Sequence, residues 1–366
     1  MKYNIGIIGA GQLALMICEE AKKRGLSTIA LDEYDSAPAF TVTDDKIVGK
    51  FADVGKLEEL CEKSEVVVYE FENIDLEAVE KLAGKYNIYQ GYRPLKYSRH
   101  RIVEKTFAKE NGLNPPAFAL VNSRESLEKA ISEIGLPCVL KTTTLGYDGK
   151  GQAVLKTLED AKNLPEEMIK ESICEQFVKF DYEVSAIVCR NKNGDMGCLP
   201  ISENRHKRGI LDACIVPPTK MDEKMQEKVK TTAKAFMEKA NFHGILAIEF
   251  FVLGEDVYFN EMAPRPHNSG HHSIETCDTS QYGLLLDCVT GKKLCDPKLT
   301  EKGVMKNILG EDVESLENFP VIENATVHWY HKSPAKKGRK MAHITFTGVS
   351  ADEFERVDKI YFEDKA

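Results

Sequence analysis

Apolar and polar positions change their period along the chain. Residues 3–8 form an apolar run that ends at Gly9-Ala10-Gly11, and over 12–24 Leu13, Met16, Ile17 and Ala21 recur at the spacing of one helical face. That order predicts a strand, a tight turn and a helix. Strand-like runs at 26–31, 46–48 and 66–69 alternate with helical spacing at 54–63 and 76–82, so residues 1–97 predict a small doubly wound parallel sheet. A helix over 98–111 then leads through Pro115-Pro116 into short strands, glycine turns and spaced helices, assigned to a segment 98–295. The last segment, 296–366, carries strand-like pieces at 325–330 and 343–347 around a basic loop at 331–340, and is too short to bury a convincing core alone.

The first turn has two readings. Gly9, Gly11 and Ala14 follow G-x-G-x-x-A, and Asp32 stands at the end of the next strand, which taken alone indicates NAD or FAD. Tight strand-to-helix turns need glycine whatever they bind, and a helix N-terminus attracts any phosphate. A structural turn or another phosphate contact is preferred.

A second nucleotide signal lies downstream. The run 136–141 is an apolar strand ending in Lys141, and three glycines and two lysines fall within eleven residues there. Such a loop supplies backbone N–H groups and positive charge to a triphosphate, or is a plain glycine-rich hairpin. The run 172–178 is an apolar strand carrying Glu175, and Glu183 after the following bend is either a ribose acceptor or a solvated turn residue.

The runs 243–253 and 257–262 predict a hairpin around Gly254-Glu255-Asp256. A turn centred on Glu255 sets Glu249 opposite Glu261, with side chains about 5 Å apart. Facing carboxylates in apolar strands repel, and a divalent cation, a shared proton or a lysine must resolve the conflict; magnesium is preferred. Arg265, between Pro264 and Pro266, forms with His267 and Asn268 a compact donor set for a small planar anion. With no helical H-x-x-x-H pair and no cysteine pair nearby, the histidines do not predict zinc.

Composition narrows the classes. The chain has 366 residues, 42% hydrophobic and 29% charged, and its net charge of −9 argues against an extended nucleic-acid interface. No apolar run approaches the roughly 20 residues of a membrane helix, and no secretory signal opens the chain, so a cytoplasmic protein is expected. Ten cysteines without a CxxC pair predict buried reduced thiols.

The stretches LKTTTLGYDGKGQ, CEQFVKFDYEVS, ENRHKRGIL, AIEFF with YFNEMAPRPHNSGHH, and HWYHKSPAKKGRKMAHI resemble the N5-carboxyaminoimidazole ribonucleotide synthetases of purine biosynthesis, over residues 3–348. The resemblance implies an ATP-grasp fold with an N-terminal Rossmann-like pre-ATP-grasp domain and a small β-rich C-terminal domain. It implies conversion of 5-aminoimidazole ribonucleotide, bicarbonate and ATP to the N5-carboxylated product, ADP and phosphate, with magnesium (or manganese) as cofactor and a homodimer as assembly. By the same resemblance Arg101, Lys141, Gly146, Tyr147, Asp148, Gly149, Lys150, Gly151, Gln152, Glu175, Gln176, Phe177, Val178, Glu183, His206, Asn260 and Glu261 contact ATP, and Glu249 and Glu261 hold the metal. Tyr147, Asp148, Lys150, Lys332 and Arg339, with Glu72 from the first domain, fall at the ribonucleotide; Arg265, His267 and Asn268 fall at bicarbonate, and Arg265, His267 and Lys332 are the catalytic candidates. Ala10 stands where the family usually has glycine, Lys150 where arginine is common, and the aspartate usually before Arg101 is missing. Other ATP-grasp ligases, an NAD-dependent oxidoreductase and a non-catalytic nucleotide-binding regulator are the rival classes.

Overall fold

The computed structural model describes residues 2–144 and 151–362. The first apolar run is the strand Tyr3–Ile8, and Thr28–Asp32, Asp45–Val48 and Ser64–Tyr69 join it in a parallel sheet ordered third, second, first, fourth. Alternation sorts its side chains between two cores. Ile8, Ile29, Leu31 and Ile47 pack with Leu57 and Leu60 of the helix Val54–Lys63. Ile5 and Ile7 face the other way, with Leu13 and Ile17 of the helix Gln12–Lys23, and meet Leu284 and Leu285 of the helix Gln281–Val289. One face of the first segment is therefore completed by the second.

The expected helix over 98–111 is Arg101–Glu110, starting after an extended His100, and a further short helix, Arg93–Ser98, precedes it. Beyond it a four-stranded antiparallel sheet runs in the order Phe118–Val121, Ser172–Gln176, Cys138–Thr142, Gln152–Leu155. The larger sheet has nine strands. Its path is Asp256–Ala263, Gly244–Leu253, Tyr182–Arg190, Ser202–Lys207, Ile210–Val216, Gly303–Leu309, Lys340–Thr347, Ala325–Trp329, with Met196–Cys198 beside Tyr182–Arg190. Three strands of the last segment thus extend a sheet begun in the middle one, which is how so short a segment finds a core. Eight of the ten cysteines are buried, Cys277 is half-buried and Cys295 is exposed, and all are free thiols.

The strand Gly303–Leu309 and the helix Ala351–Tyr361 were not expected from the pattern. Both are tied by Lys306, whose buried ammonium lies 2.9 Å from Asp212 and 2.7 Å from Asp358. Burial would lower the pKa of Lys306, but the two carboxylates outweigh that and raise it. Lys306→Ala leaves both carboxylates without their shared cation, and we expect a loss of about 3 kcal/mol, read as a lower urea midpoint. An unchanged midpoint would show that the triad does not anchor the helix.

Candidate active site

The strands Gly244–Leu253 and Asp256–Ala263 join through a two-residue turn, Gly254-Glu255, with Leu253 opposite Asp256. The expected three-residue turn is not formed. Counting back in that register would set Glu249 against Asn260. A bulge between the pairs Phe250–Phe259 and Glu249–Glu261 takes up Asn260, and the two carboxylates face each other after all. The extra residue also reaches the site, since Asn260 Nδ2 donates to Glu183 Oε1 at 3.2 Å.

Neighbouring strands bring more charge to this point. Glu183 and His206, on Tyr182–Arg190 and Ser202–Lys207, are 3.1 Å apart, and with Glu249 they offer ligand atoms within 4.8 Å of one another. Burial first, and then Glu183 and Glu261, push the Glu249 carboxyl well above the usual range. Burial would do the same to Glu261, but Arg101 and Lys141 hold it below its ordinary value, with Arg101 Nη1 at 3.2 Å. Glu249 and Glu261 are partners in register on adjacent strands, and with the ligand atoms of Glu183 and His206 beside Glu249 the donor set suits a hard divalent cation.

Arg101, Glu104 and Lys105 share one face of the helix Arg101–Glu110. Lys105 is fully buried; its Nζ donates to the Asn260 carbonyl at 2.9 Å and lies 3.3 Å from Glu175 Oε2, to which Lys141 Nζ also donates at 2.9 Å. Burial raises the Glu175 pKa, yet Lys105 and Lys141 bring it down to about 2. Glu104 accepts from the Met262 amide at 2.7 Å, pinning the strand just past Glu261. The sequence reading passed over Glu104 and Lys105; their spacing of three and four from Arg101 was the available signal. Gln176 and Phe177 are exposed and Val178 is buried, while Gly151 precedes the strand that Gln152 begins, opposite Lys141. Gly146, Tyr147, Asp148, Gly149 and Lys150 lie outside the described residues.

At the anion loop, Arg265 Nε is 2.8 Å from Glu72 Oε1. Burial, then Arg265 and Lys340, drive the His267 pKa well down, so the ring is neutral. The side-chain amide of Asn268 is buried with neither its oxygen nor its nitrogen hydrogen-bonded among the described residues. The glycine turn does not serve a dinucleotide: the Ala10 and Gly11 amides donate at 2.9 Å to Asp32 and Glu70, so the chain's own carboxylates occupy the place of a pyrophosphate. Lys332 Nζ donates to the Lys340 carbonyl at 3.1 Å. Arg339 donates to the Ser333 and Pro334 carbonyls, bracing its own loop. Lys340, one residue further and not anticipated, lines the cavity instead.

Two cavities of about 350 and 280 Å³ share Arg101, Glu249, Glu261, His267 and Lys340. The first adds Glu72 and Arg265; the second adds Lys141, Gln152, Glu183 and His206.

Residues 1–97 match the ribonucleotide synthetase preATP-grasp domain, 106–282 the ATP-grasp domain, and 303–357 the phosphoribosylaminoimidazole carboxylase C-terminal domain. The chain is 37% identical over 355 residues to an N5-carboxyaminoimidazole ribonucleotide synthase of Bacillus subtilis, covering 96% of this chain and 93% of that one. It is 38% identical over 359 residues to the synthase of Staphylococcus aureus strain COL, covering 96% and 95%. Its fold matches the crystal structure of N5-carboxyaminoimidazole synthetase from Staphylococcus aureus complexed with ADP at a TM-score of 0.94, with 36% identity over 99% of this chain and 98% of that one. A carboxyaminoimidazole ribonucleotide synthase from Aspergillus clavatus, complexed with ATP, matches at 0.90 with 25% identity, covering 98% and 97%. The fold is thus the expected one: an ATP-grasp domain between a pre-ATP-grasp domain and a small C-terminal domain.

Glu175 contributes stability that is present above the unfolded-state carboxyl pKa of about 4.3 and is lost as pH falls toward the folded value. Glu175→Gln, which strands Lys105, is expected to destabilise the chain by about 3 kcal/mol at pH 7. In urea titrations the gap from the parent should narrow below about pH 4.5. A gap independent of pH would remove this electrostatic role.

Proposed function

The chain belongs to the N5-carboxyaminoimidazole ribonucleotide synthetase family, and from that premise we propose how it carboxylates 5-aminoimidazole ribonucleotide with bicarbonate and ATP. It is an ATP-grasp ligase of purine biosynthesis. The observation that carries the site assignment is the junction of the two cavities at Glu249 and Glu261. Lys141, Glu183 and His206, with Arg101, Gln152 and Asn260, take ATP on one side. Bicarbonate lies on the other, against Arg265 and neutral His267, where Glu72 fixes the guanidinium, and the unbonded amide of Asn268 stands on the ATP side of His267.

A bicarbonate oxygen attacks the γ-phosphorus, the bond to the bridging oxygen of ADP breaks, and carboxyphosphate forms. The exocyclic amine of the ribonucleotide then bonds to the carboxyl carbon; phosphate leaves and the amine loses a proton. Lys332, with Arg339 and Lys340 in its loop, holds the ribonucleotide's anionic end. Magnesium, with manganese as substitute, fits Glu249 and Glu261 and when bound neutralises charge on the transferring phosphoryl group. We further propose a homodimer, a cytoplasmic location and a division at 1–97, 98–295 and 296–366. The resemblance supports the first two and the limits of the three family matches support the third. No helix among the described residues is long and apolar enough to cross a membrane.

ADP release should require ribonucleotide, bicarbonate and magnesium together; equal release with formate in place of bicarbonate would overturn the substrate assignment. Glu261→Gln should reduce turnover by at least about a thousandfold in a folded protein, by analogy with the loss of a charge-stabilising group. Normal turnover would remove the metal assignment. Lys332→Ala should raise the KM for ribonucleotide about tenfold or more, the scale of one charge-assisted bond, and leave that for ATP unchanged. An unmoved ribonucleotide KM would end the clamp role.

A further inference from the structure

Five aromatic side chains outside the assigned site join its two substrate loops. His328 and His343 are cross-strand partners on Ala325–Trp329 and Lys340–Thr347, and their rings stack at 4.5 Å and 11°. His271, in the loop that continues from Asn268, also stacks on His343, with ring centroids 4.7 Å apart and planes at 30°. His328 is tied to Glu275 at 2.6 Å. Tyr330 Oη is 2.8 Å from His343 Nδ1, and Tyr282 Oη is 2.9 Å from His271 Nδ1.

The His271 end and the central His343 each reach a loop assigned to substrate. Gln281, 3.2 Å from His271, receives the His267 amide at 2.8 Å and donates to the His267 carbonyl at 2.8 Å. From the central His343, through Tyr330, the link continues to the Lys332 ammonium, 5.3 Å from the centroid of the Tyr330 ring. His343 and Tyr330 are buried, and His343 Nε2 has no hydrogen-bond partner among the described residues. An apolar ring would fill that space without leaving a nitrogen unbonded, so the imidazole carries a cost that packing alone does not explain. What it adds is a directional bond to Tyr330. Burial, and then the neighbouring histidines, lower the pKa of both His271 and His343, in keeping with neutral stacked rings.

We propose that the His271–His343–His328 stack, locked by the Tyr330 hydroxyl, sets the separation between the anion loop and the basic loop, and that Tyr330 and His343 are positioning residues for the ribonucleotide, acting through Lys332. This rests on the clamp role of Lys332 proposed above. Neither residue touches substrate. The hydroxyl fixes the Tyr330 ring, the ring fixes the ammonium, and the stack fixes both against His267.

The test uses the full chain and steady-state ADP release, with ribonucleotide and then ATP as the varied substrate. Tyr330→Phe keeps the ring beneath Lys332 and removes the bond; His343→Phe keeps a ring in the stack and removes the same bond. Each should raise the KM for ribonucleotide about fivefold to tenfold, the loss of one buried hydrogen bond, with kcat and the KM for ATP within about twofold. The double variant should be no worse than the worse single, since one bond is lost once. Unchanged ribonucleotide KM in Tyr330→Phe, an equal rise in the KM for ATP, or multiplied effects in the double variant would each overturn the proposal. If His343→Phe does not fold, Tyr330→Phe decides alone. Should Lys332→Ala leave the ribonucleotide KM unmoved, the clamp reading itself falls; a rise there without one in Tyr330→Phe sinks only the positioning role.

Discussion

Two carboxylates facing each other across a buried ladder are the constraint around which the catalytic half of the molecule is arranged. Glu249 is buried while the Glu261 side chain is 43% exposed, and the two still repel, with Glu183 adding to the repulsion on Glu249. Arg101 relieves Glu261 directly. Glu249, which accepts from the Asn204 side-chain amide at 3.4 Å, keeps its raised pKa. These charges destabilise the fold, and the burial of Glu249 is tolerated because the surrounding sheet is rigid.

That rigidity comes from continuity. Strands of the middle and last segments share one nine-stranded sheet, and the first segment completes an apolar core with the helix Gln281–Val289. Loops that would otherwise belong to separate domains are held to one frame. Arg265 meets Glu72 of the first segment, and Lys340 of the last segment lines the same cavity as Arg101 of the second. Lys105 and Glu175 play a matching part beneath the cavity lined by Lys141 and Glu183, where the fully buried Lys105 holds a carboxylate against Lys141.

Much of the architecture was legible because local periodicity carries it. The alternating runs of the first segment, its glycine turn and the hairpin at 243–262 are patterns of period 2 and 3.6, which a chain expresses whatever lies around it. The carboxylate pair was reached through the wrong turn length, corrected by a bulge that no local pattern announces. Lys105 and Glu104 read as helix-surface charges until the strand Asp256–Ala263 packs over them. Arg339 and Lys340 are adjacent and alike in sequence; which one faces the cavity depends on where the strand Lys340–Thr347 begins.

The sequence by itself determined most of the element types, the three-segment order and the family, since each rests on spacing or on motifs that persist along the chain, whereas the pairing of Glu249 with Glu261 needed the bulge. Only the tertiary structure decided that the first glycine turn is closed to a dinucleotide by Asp32 and Glu70, and that the histidines form a stack between two loops. Those outcomes depend on distances between residues tens of positions apart. Such distances are fixed by packing and register, which periodicity does not encode.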